Sequence, residues 1–158
     1  MDARHVTAFI ISTLLMVPLV LGAGCGRHSA AALSKVDERK LFTLEANPVE
    51  LALGEAGALV VEIEAGKGWQ WNDEFPVRLA LGDVERPGLS FKKSALVRGD
   101  EEIQVAATRA TMSLPVKAEA PGEYMVPLTI SFSVCDEKRC HIFRNREVKI
   151  ELKVRREE

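Results

Sequence analysis

The segment YMVPLTISFSVCDEKRCHIF, residues 124–143, alternates between apolar and polar side chains and places two cysteines around a charged turn. One parity is apolar throughout: Tyr124, Val126, Leu128, Ile130, Phe132 and Val134. Residues of one parity share one face of a strand, so the pattern predicts a long strand with that face buried. Cys135 has the opposite parity, with Thr129, Ser131 and Ser133, and we expect its side chain on the solvent side.

The charged residues 136–139, DEKR, predict a hairpin loop after this strand. With that loop, Cys135 and Cys140 stand opposite each other, with Cβ atoms about 4.5–5.5 Å apart, close to disulfide range. The next apolar run, residues 148–154, has the opposite parity from Phe143. The sequence therefore predicts a bulge or short loop within residues 144–147, where the phase is reset.

The rest of the chain repeats the same period of two. Apolar residues occupy alternate positions at Val49, Leu51, Leu53, Leu59, Val61, Ile63, Val77, Leu79, Leu81, Ile103, Val105, Met112, Leu114, Val116, Val148, Ile150, Leu152 and Val154. Glycine and proline turn signals separate these runs, and no segment shows a helical period. We expect residues 41–158 to form an all-β, immunoglobulin-like antiparallel β-sandwich of about seven to nine strands.

Composition narrows the function classes. The chain has 158 residues, 47% of them hydrophobic and 28% charged, which is typical of one globular domain. Its formal net charge of −2 argues against a nucleic-acid surface. It contains no phosphate-binding glycine loop, and outside the N-terminal region its one histidine is His141. We therefore expect no metal, no cofactor and no small-molecule substrate.

The N-terminus predicts export. Residues 1–24 combine a short basic start at Arg4 with an uncharged apolar stretch that ends in small residues, as a signal peptide does. Cys25 follows LGAG and resembles the lipidated cysteine of bacterial lipoproteins, with residues 25–40 as a flexible tether. Cleavage after residues 30–32 and an uncleaved anchor are the alternatives. Each of them places residues 41–158 in the cell envelope, facing the periplasm or exterior.

An oxidising compartment favours a disulfide between Cys135 and Cys140, and lipidation of Cys25 would leave no third thiol. Such a bond closes a loop of about six residues and stabilises by about 2 kcal/mol, against almost 5 for a loop of about 100. A weak staple favours redox use. A structural disulfide and a metal site made of two thiolates and one imidazole stay open as alternatives.

The stretch FSVCDEKRCHIF, residues 132–143, resembles the N-terminal periplasmic domain of the thiol:disulfide interchange protein DsbD. GKGWQWNDEFPVRLAL, residues 66–81, resembles the glycine-aromatic strand of that domain, and the likeness covers residues 41–154. It implies an immunoglobulin-like fold and a relay of electrons between a thioredoxin-like partner and other periplasmic proteins. In the relay, Cys140 would form the mixed disulfides and Cys135 would resolve them. The family domain has a cap loop, to which we assign no residues of this sequence. Residues 1–158 also show no counterpart of the family's membrane domain or of its thioredoxin-like domain.

Other residues offer competing interpretations. Trp69 and Trp71 share one face of a strand, where they either pack in the core or at an edge, or form a stacking platform for a sugar or peptide. His141 follows Cys140 directly, so the two side chains point to opposite faces and do not favour a catalytic dyad. The basic residues near Cys140 either lower its pKa or form a solvated tip; they are Lys138, Arg139, Arg144 and Arg146. A non-catalytic envelope binding module is the alternative to thiol exchange.

The lipoprotein hypothesis has a direct test. The mature protein should begin at a lipidated Cys25 and partition with membranes, and Cys25→Ser should abolish the lipid because serine has no thiol to acylate. Mass spectrometry of the mature N-terminus checks this. A mature chain that begins after residue 32 would contradict it.

Overall fold

The alternating segments fold into two β-sheets in the computed structural model, which describes residues 37–83 and 87–156. A 3₁₀ turn at Glu38–Lys40 precedes the strands, and Asp37 caps it. The strands are β1 Phe42–Ala46, β2 Val49–Ala52, β3 Ala56–Ala65, β4 Gln70–Trp71, β5 Arg78–Leu81, β6 Leu89–Ser90, β7 Ala95–Val97, β8 Ile103–Val105, β9 Arg109–Ala118, β10 Gly122–Cys135 and β11 Cys140–Arg155. The signal segment 1–24, Cys25 and tether residues 26–36 lie outside the described residues.

The two sheets have the order β1-β3-β9-β6, with β8 also on β9, and β2-β11-β10-β5-β7, with β4 also on β10. The pairs are antiparallel, except that β2 runs parallel to β11. This exception follows from the Asn47-Pro48 turn, after which the chain leaves the first sheet and joins the edge of the second. The all-β, immunoglobulin-like sandwich is confirmed. Short strands such as β4 and β6, with 2 residues each, raise the number beyond the expected range.

The core lies between the sheets and consists of the predicted apolar parities. Leu59, Val61 and Ile63 of β3 face Leu128, Ile130 and Phe132 of β10, and all six are 0% exposed. Aromatic rings fill the end of the core nearest the cysteines: Phe132 lies 4.9 Å from Phe42 and 5.0 Å from Phe143, between ring centroids. Leu53 and Val105 are exceptions, exposed where β2 and β8 end.

A bulge resets the phase of β11 where the sequence requires it. Ile130 pairs with Arg146 and Phe132 with Phe143, so β11 carries one more residue than β10 between these pairs. Asn145 takes a φ of 51°, and its N–H donates to Ser131 Oγ at 3.0 Å. The predicted bulge within residues 144–147 is confirmed, and it lets both Phe143 and the run from Val148 face the core.

A tyrosine corner anchors the start of β10. The hydroxyl of Tyr124 donates to the carbonyl of Ala120 at 2.9 Å, four residues upstream. Gly88, with a φ of 110°, lies against the tyrosine ring where a Cβ would collide with the hydroxyl. This arrangement is typical of immunoglobulin-like sandwiches, in which it fixes the loop that crosses between the sheets.

Removal of the corner hydroxyl should weaken the fold without changing it. Tyr124→Phe deletes one hydrogen bond to a partly buried carbonyl, so we expect the free energy of unfolding to fall by about 1 kcal/mol. Urea denaturation with an unchanged m-value checks this. Gly88→Ala displaces the ring as well and should cost more. Equal stability of Tyr124→Phe and the wild type would contradict the role of the corner.

Candidate functional site

The two cysteines form a disulfide at the exposed end of the longest hairpin. Cys135 is the last residue of β10 and Cys140 the first of β11, and they are direct partners in the register. Their Cα atoms lie 4.0 Å apart. The sequence expectation of a bonded pair across a hairpin tip is therefore confirmed.

The two sides of the disulfide differ in access. Cys140 is exposed, whereas Cys135 is half-buried. The difference arises because β4 lies along the other edge of β10, with Gln70 paired to Cys135 and Trp71 to Val134. Among residues 37–83 and 87–156, no strand lies beside Cys140 on the edge away from β10, because β2 pairs with β11 only from Leu152 onward. Cys140 is therefore the more accessible residue of the pair.

The turn between the cysteines is held by hydrogen bonds of its own. The N–H of Asp136 donates to the carbonyl of Arg139 at 2.9 Å. The carboxylate of Asp136 accepts from the N–H groups of Lys138 and Arg139, each at 2.8 Å, and Arg139 Nε lies 3.4 Å from Asp136 Oδ2. An aspartate at the first position of a turn commonly bonds in this way. The shape of the tip therefore does not depend on the disulfide alone.

These contacts determine the charge of the tip. The N–H of Lys138, then that of Arg139 together with the Arg139 charge, lower the pKa of Asp136 below its ordinary value of 3.8. The predicted basic cluster is divided among separate contacts: Arg139 pairs with Asp136, and Arg146 lies 2.5 Å from Glu38. Arg144 lies over the ring of Phe75, 5.6 Å from its centroid. These basic residues therefore fit the interpretation of a solvated tip better than that of a cluster that lowers the pKa of Cys140.

The tryptophans belong mainly to the protein interior. Trp71 is 8% exposed and stacks on Phe132 at 5.6 Å between ring centroids. Trp69 is half-buried under the tip, with its ring 5.2 Å from that of His141 and the guanidinium of Arg139 5.8 Å from its centroid. The core interpretation is correct, and the sugar platform is wrong because it requires both rings to be open to solvent.

His141 lies on the inner side of the tip, paired with Val134 and away from the outward-facing Cys140. Its Nε2 atom is buried and has no hydrogen-bond partner in the described structure. The expectation that no Cys–His dyad forms agrees with this placement. Within residues 37–83 and 87–156, no three His, Cys, Asp or Glu side chains group as metal ligands.

Sequence reasoning missed two features of the site. The pairing of Gln70 with Cys135 has no local signal, because a strand of 2 residues is too short to show a period. The Asp136 turn did have a signal, since an aspartate that opens a four-residue loop is a frequent hydrogen-bond acceptor for the next backbone groups. In the part of the chain that the structure describes, no helix is long and apolar enough to cross a membrane.

Comparison with known proteins gives only distant likenesses of fold. No family model matches the chain, and no curated protein matches it. Among solved structures, it is similar to native alpha-2-macroglobulin from Escherichia coli, domain MG7 to the C-terminus, with 19% identity and a TM-score of 0.41. That match covers 73% of this chain and 16% of the other. It is also similar to WR4, a C. elegans MSP family member, with 7% identity, a TM-score of 0.39 and coverage of 73% and 99%.

The tip should respond to acid through Asp136. Because its folded pKa lies below 3.8, the carboxylate stabilises the turn above the unfolded pKa, and this contribution disappears as the pH falls through the folded value. We expect the NMR amide shifts of Lys138 and Arg139 to titrate together with a midpoint below 3.8.

Two variants separate this titration from that of its neighbour. Asp136→Asn keeps an acceptor oxygen but cannot ionise, so the shared titration should vanish. Glu137→Gln should retain it, because the carboxylate of Glu137 accepts no bond from these amides in the structure. A midpoint at or above 3.8 in the wild type would contradict the assigned hydrogen bonds.

Proposed function

We propose that this protein exchanges thiols and disulfides in the cell envelope, through Cys135 and Cys140, with a thioredoxin-like partner and other envelope proteins. The observation that carries the proposal is the position of the disulfide: it joins two strands that the fold already pairs, at an exposed tip. The resemblance of residues 41–154 to the N-terminal domain of DsbD supports the same reaction.

Energetics favour a removable bond. A disulfide across a loop of about six residues contributes about 2 kcal/mol by the chain-entropy estimate. Backbone pairing of β10 with β11 and the hydrogen bonds of the Asp136 turn join the same residues without the disulfide. Reduction can therefore leave the hairpin in place, and the two thiols stay opposed and ready to close again.

The exchange runs through Cys140 in two steps. In the reduced protein, the Cys140 thiolate attacks a disulfide of an envelope protein, and a mixed disulfide forms while one partner thiolate leaves and takes a proton. The Cys135 thiolate then attacks Cys140 Sγ, which restores the Cys135–Cys140 bond and releases the second partner thiolate. Two electrons pass to the partner; a thioredoxin-like dithiol then reduces the Cys135–Cys140 disulfide by the reverse sequence and is itself oxidised to a disulfide.

The difference in access supports this division of roles. Gln70 and the rest of β4 border Cys135, so an incoming sulfur has an open approach to Cys140. Cys135 needs only to reach Cys140, its direct cross-strand neighbour. A half-buried resolving thiol directly opposite an exposed attacking thiol can reach the mixed disulfide and release the partner.

We further propose that a lipid on Cys25 holds the domain at a membrane surface. The signal-like residues 1–24 and the lipobox-like LGAGC support this location. The tether, residues 25–40, would then end in the 3₁₀ turn Glu38–Lys40, where Glu38 pairs with Arg146. An oxidising envelope would supply the compartment in which the disulfide forms.

Single-cysteine variants test the assignment. Cys135→Ser should trap a mixed disulfide with a thioredoxin-like protein through Cys140, because no resolving thiol remains. Cys140→Ser should trap less, because β4 restricts access to Cys135. Non-reducing gels and mass spectrometry of the linked peptides measure both, with the double serine variant as the blank.

The reduction potential provides the second measurement. Equilibration of the wild type with glutathione or thioredoxin buffers should give a value above about −300 mV, the approximate upper limit of inert structural disulfides. A potential well below that, with no trapped partner, would overturn thiol exchange. The protein would then be a binding module with a structural disulfide.

A further inference from the structure

An open groove on the outer face of the second sheet collects positive charge around apolar surface. We call it the arginine groove; it has a volume of about 510 Å³ and its walls include Phe75, Arg78, Val97, Arg98, Ser131 and Arg144. Val97 is 46% exposed, although it is a large apolar side chain on a strand. Arg144 lies over Phe75, 5.6 Å from the ring centroid, which orders the guanidinium at the edge of the groove.

The arginines of the groove differ from four other arginines of the protein, which are paired with carboxylates. Arg109, Arg139, Arg146 and Arg155 each form an ion pair with a glutamate or aspartate. Among residues 37–83 and 87–156, no carboxylate lies within ion-pair distance of Arg78, Arg98 or Arg144. Asp73 shares a neighbouring pocket with Arg98 but does not pair with it. The groove therefore has positive charge that the described fold leaves uncompensated.

Strand register arranges these residues in one row across the sheet. Val97 pairs with Arg78, Arg78 pairs with Ser131, and Ser131 accepts a hydrogen bond from Asn145, next to Arg144. Adjacent strands lie about 4.8 Å apart, so the row from β7 to β11 spans roughly 14 Å. An extended chain rises about 3.3 Å per residue, and about four or five residues cover that distance.

We infer that the arginine groove binds an extended acidic segment of a protein partner, about four or five residues long. Carboxylates of the segment would meet Arg78, Arg98 and Arg144, since guanidinium groups bind carboxylates in a fork geometry. An apolar side chain between them would cover Val97 and Phe75. A segment of alternating acidic and apolar residues fits both requirements.

The surrounding surface favours a peptide over a membrane. Beyond the bulge, the outward residues of β11 alternate in charge, with Glu147, Lys149, Glu151 and Lys153. A bilayer surface attracts a broad basic face, whereas this basic region ends at the groove. The apolar surface at Val97 also suits an apolar side chain better than it suits a phosphate headgroup.

This binding site goes beyond the proposed exchange and does not require it, yet the two surfaces are continuous. Cys140, exposed Ile142 and Arg144 follow each other on the outward parity of β11. Alternate residues of a strand are about 6.7 Å apart, so roughly 13 Å separates the disulfide from the groove. A partner held in the groove would extend toward Cys140.

A short peptide tests the inference on the full-length protein. The probe is acetylated Glu-Leu-Glu-Leu-Glu, titrated at low salt while NMR follows the amides of Val97, Ser131 and Arg144. We expect saturable shifts at these positions. Arg78→Glu combined with Arg144→Glu should weaken binding at least tenfold, because two attractive contacts become repulsive.

Matched variants decide between specific and general attraction. Arg156→Glu makes the same change of charge as Arg98→Glu or as either half of the double variant, at an exposed arginine beyond the far end of β11, and should leave binding within twofold. Arg144→Lys retains charge but loses the guanidinium contact with the Phe75 ring, so a smaller loss, about threefold, is expected. Arg98→Glu, in the turn after β7, gives a single-site check if the double variant folds poorly.

Three results would overturn the proposal: no binding of the peptide, equal weakening by Arg156→Glu, or arginine-dependent binding only to vesicles with anionic lipid. The double variant Cys135→Ser, Cys140→Ser keeps the groove intact and should bind the peptide as the wild type does. Loss of exchange without loss of peptide binding would contradict the proposed function alone. Loss of peptide binding in an exchanging protein would contradict only the groove.

Discussion

The pairing of β10 with β11 is the constraint on which the rest of the structure depends. The two strands form an antiparallel ladder from Gly122–Val154 to Cys135–Cys140, and one extra residue is accommodated at Asn145. A one-residue slip in a strand turns every following side chain to the other face. Without the bulge, either Phe143 or the run from Val148 to Val154 would face solvent. The core would then lose the apolar side chains of that segment.

The same hairpin joins the residues around the disulfide through contacts other than the bond itself. Its strands hold the core from Val126 to Val134, far more surface than the tip contributes. The Asp136 turn closes the tip by backbone hydrogen bonds, and β4 supports one flank of it. By the chain-entropy estimate the disulfide adds about 2 kcal/mol to this frame, and Cys140 is its more exposed half.

Much of the fold could be predicted from the sequence, because period two is a local property. The parity of Tyr124 to Val134 gave the buried face of β10, and the clash of parities after Phe143 located the bulge. Pairing between distant segments has no such local signal. Three contacts depend on the folded arrangement: the parallel pairing of β2 with β11, the pairing of Gln70 with Cys135, and the ion pair of Arg146 with Glu38.

The candidate site shows the same division between local pattern and long-range contact. The alternation predicted that the cysteines are opposed and face outward. It did not predict the contacts that each nearby arginine makes. Arg146 lies beyond the bulge and reaches Glu38, while Arg144 lies before it and turns toward Phe75. The extra residue that preserves the core therefore also divides the basic run. It leaves Arg144 on the face of Cys140 and Ile142, so a single backbone irregularity aligns the apolar core on one side and the disulfide with the arginine groove on the other.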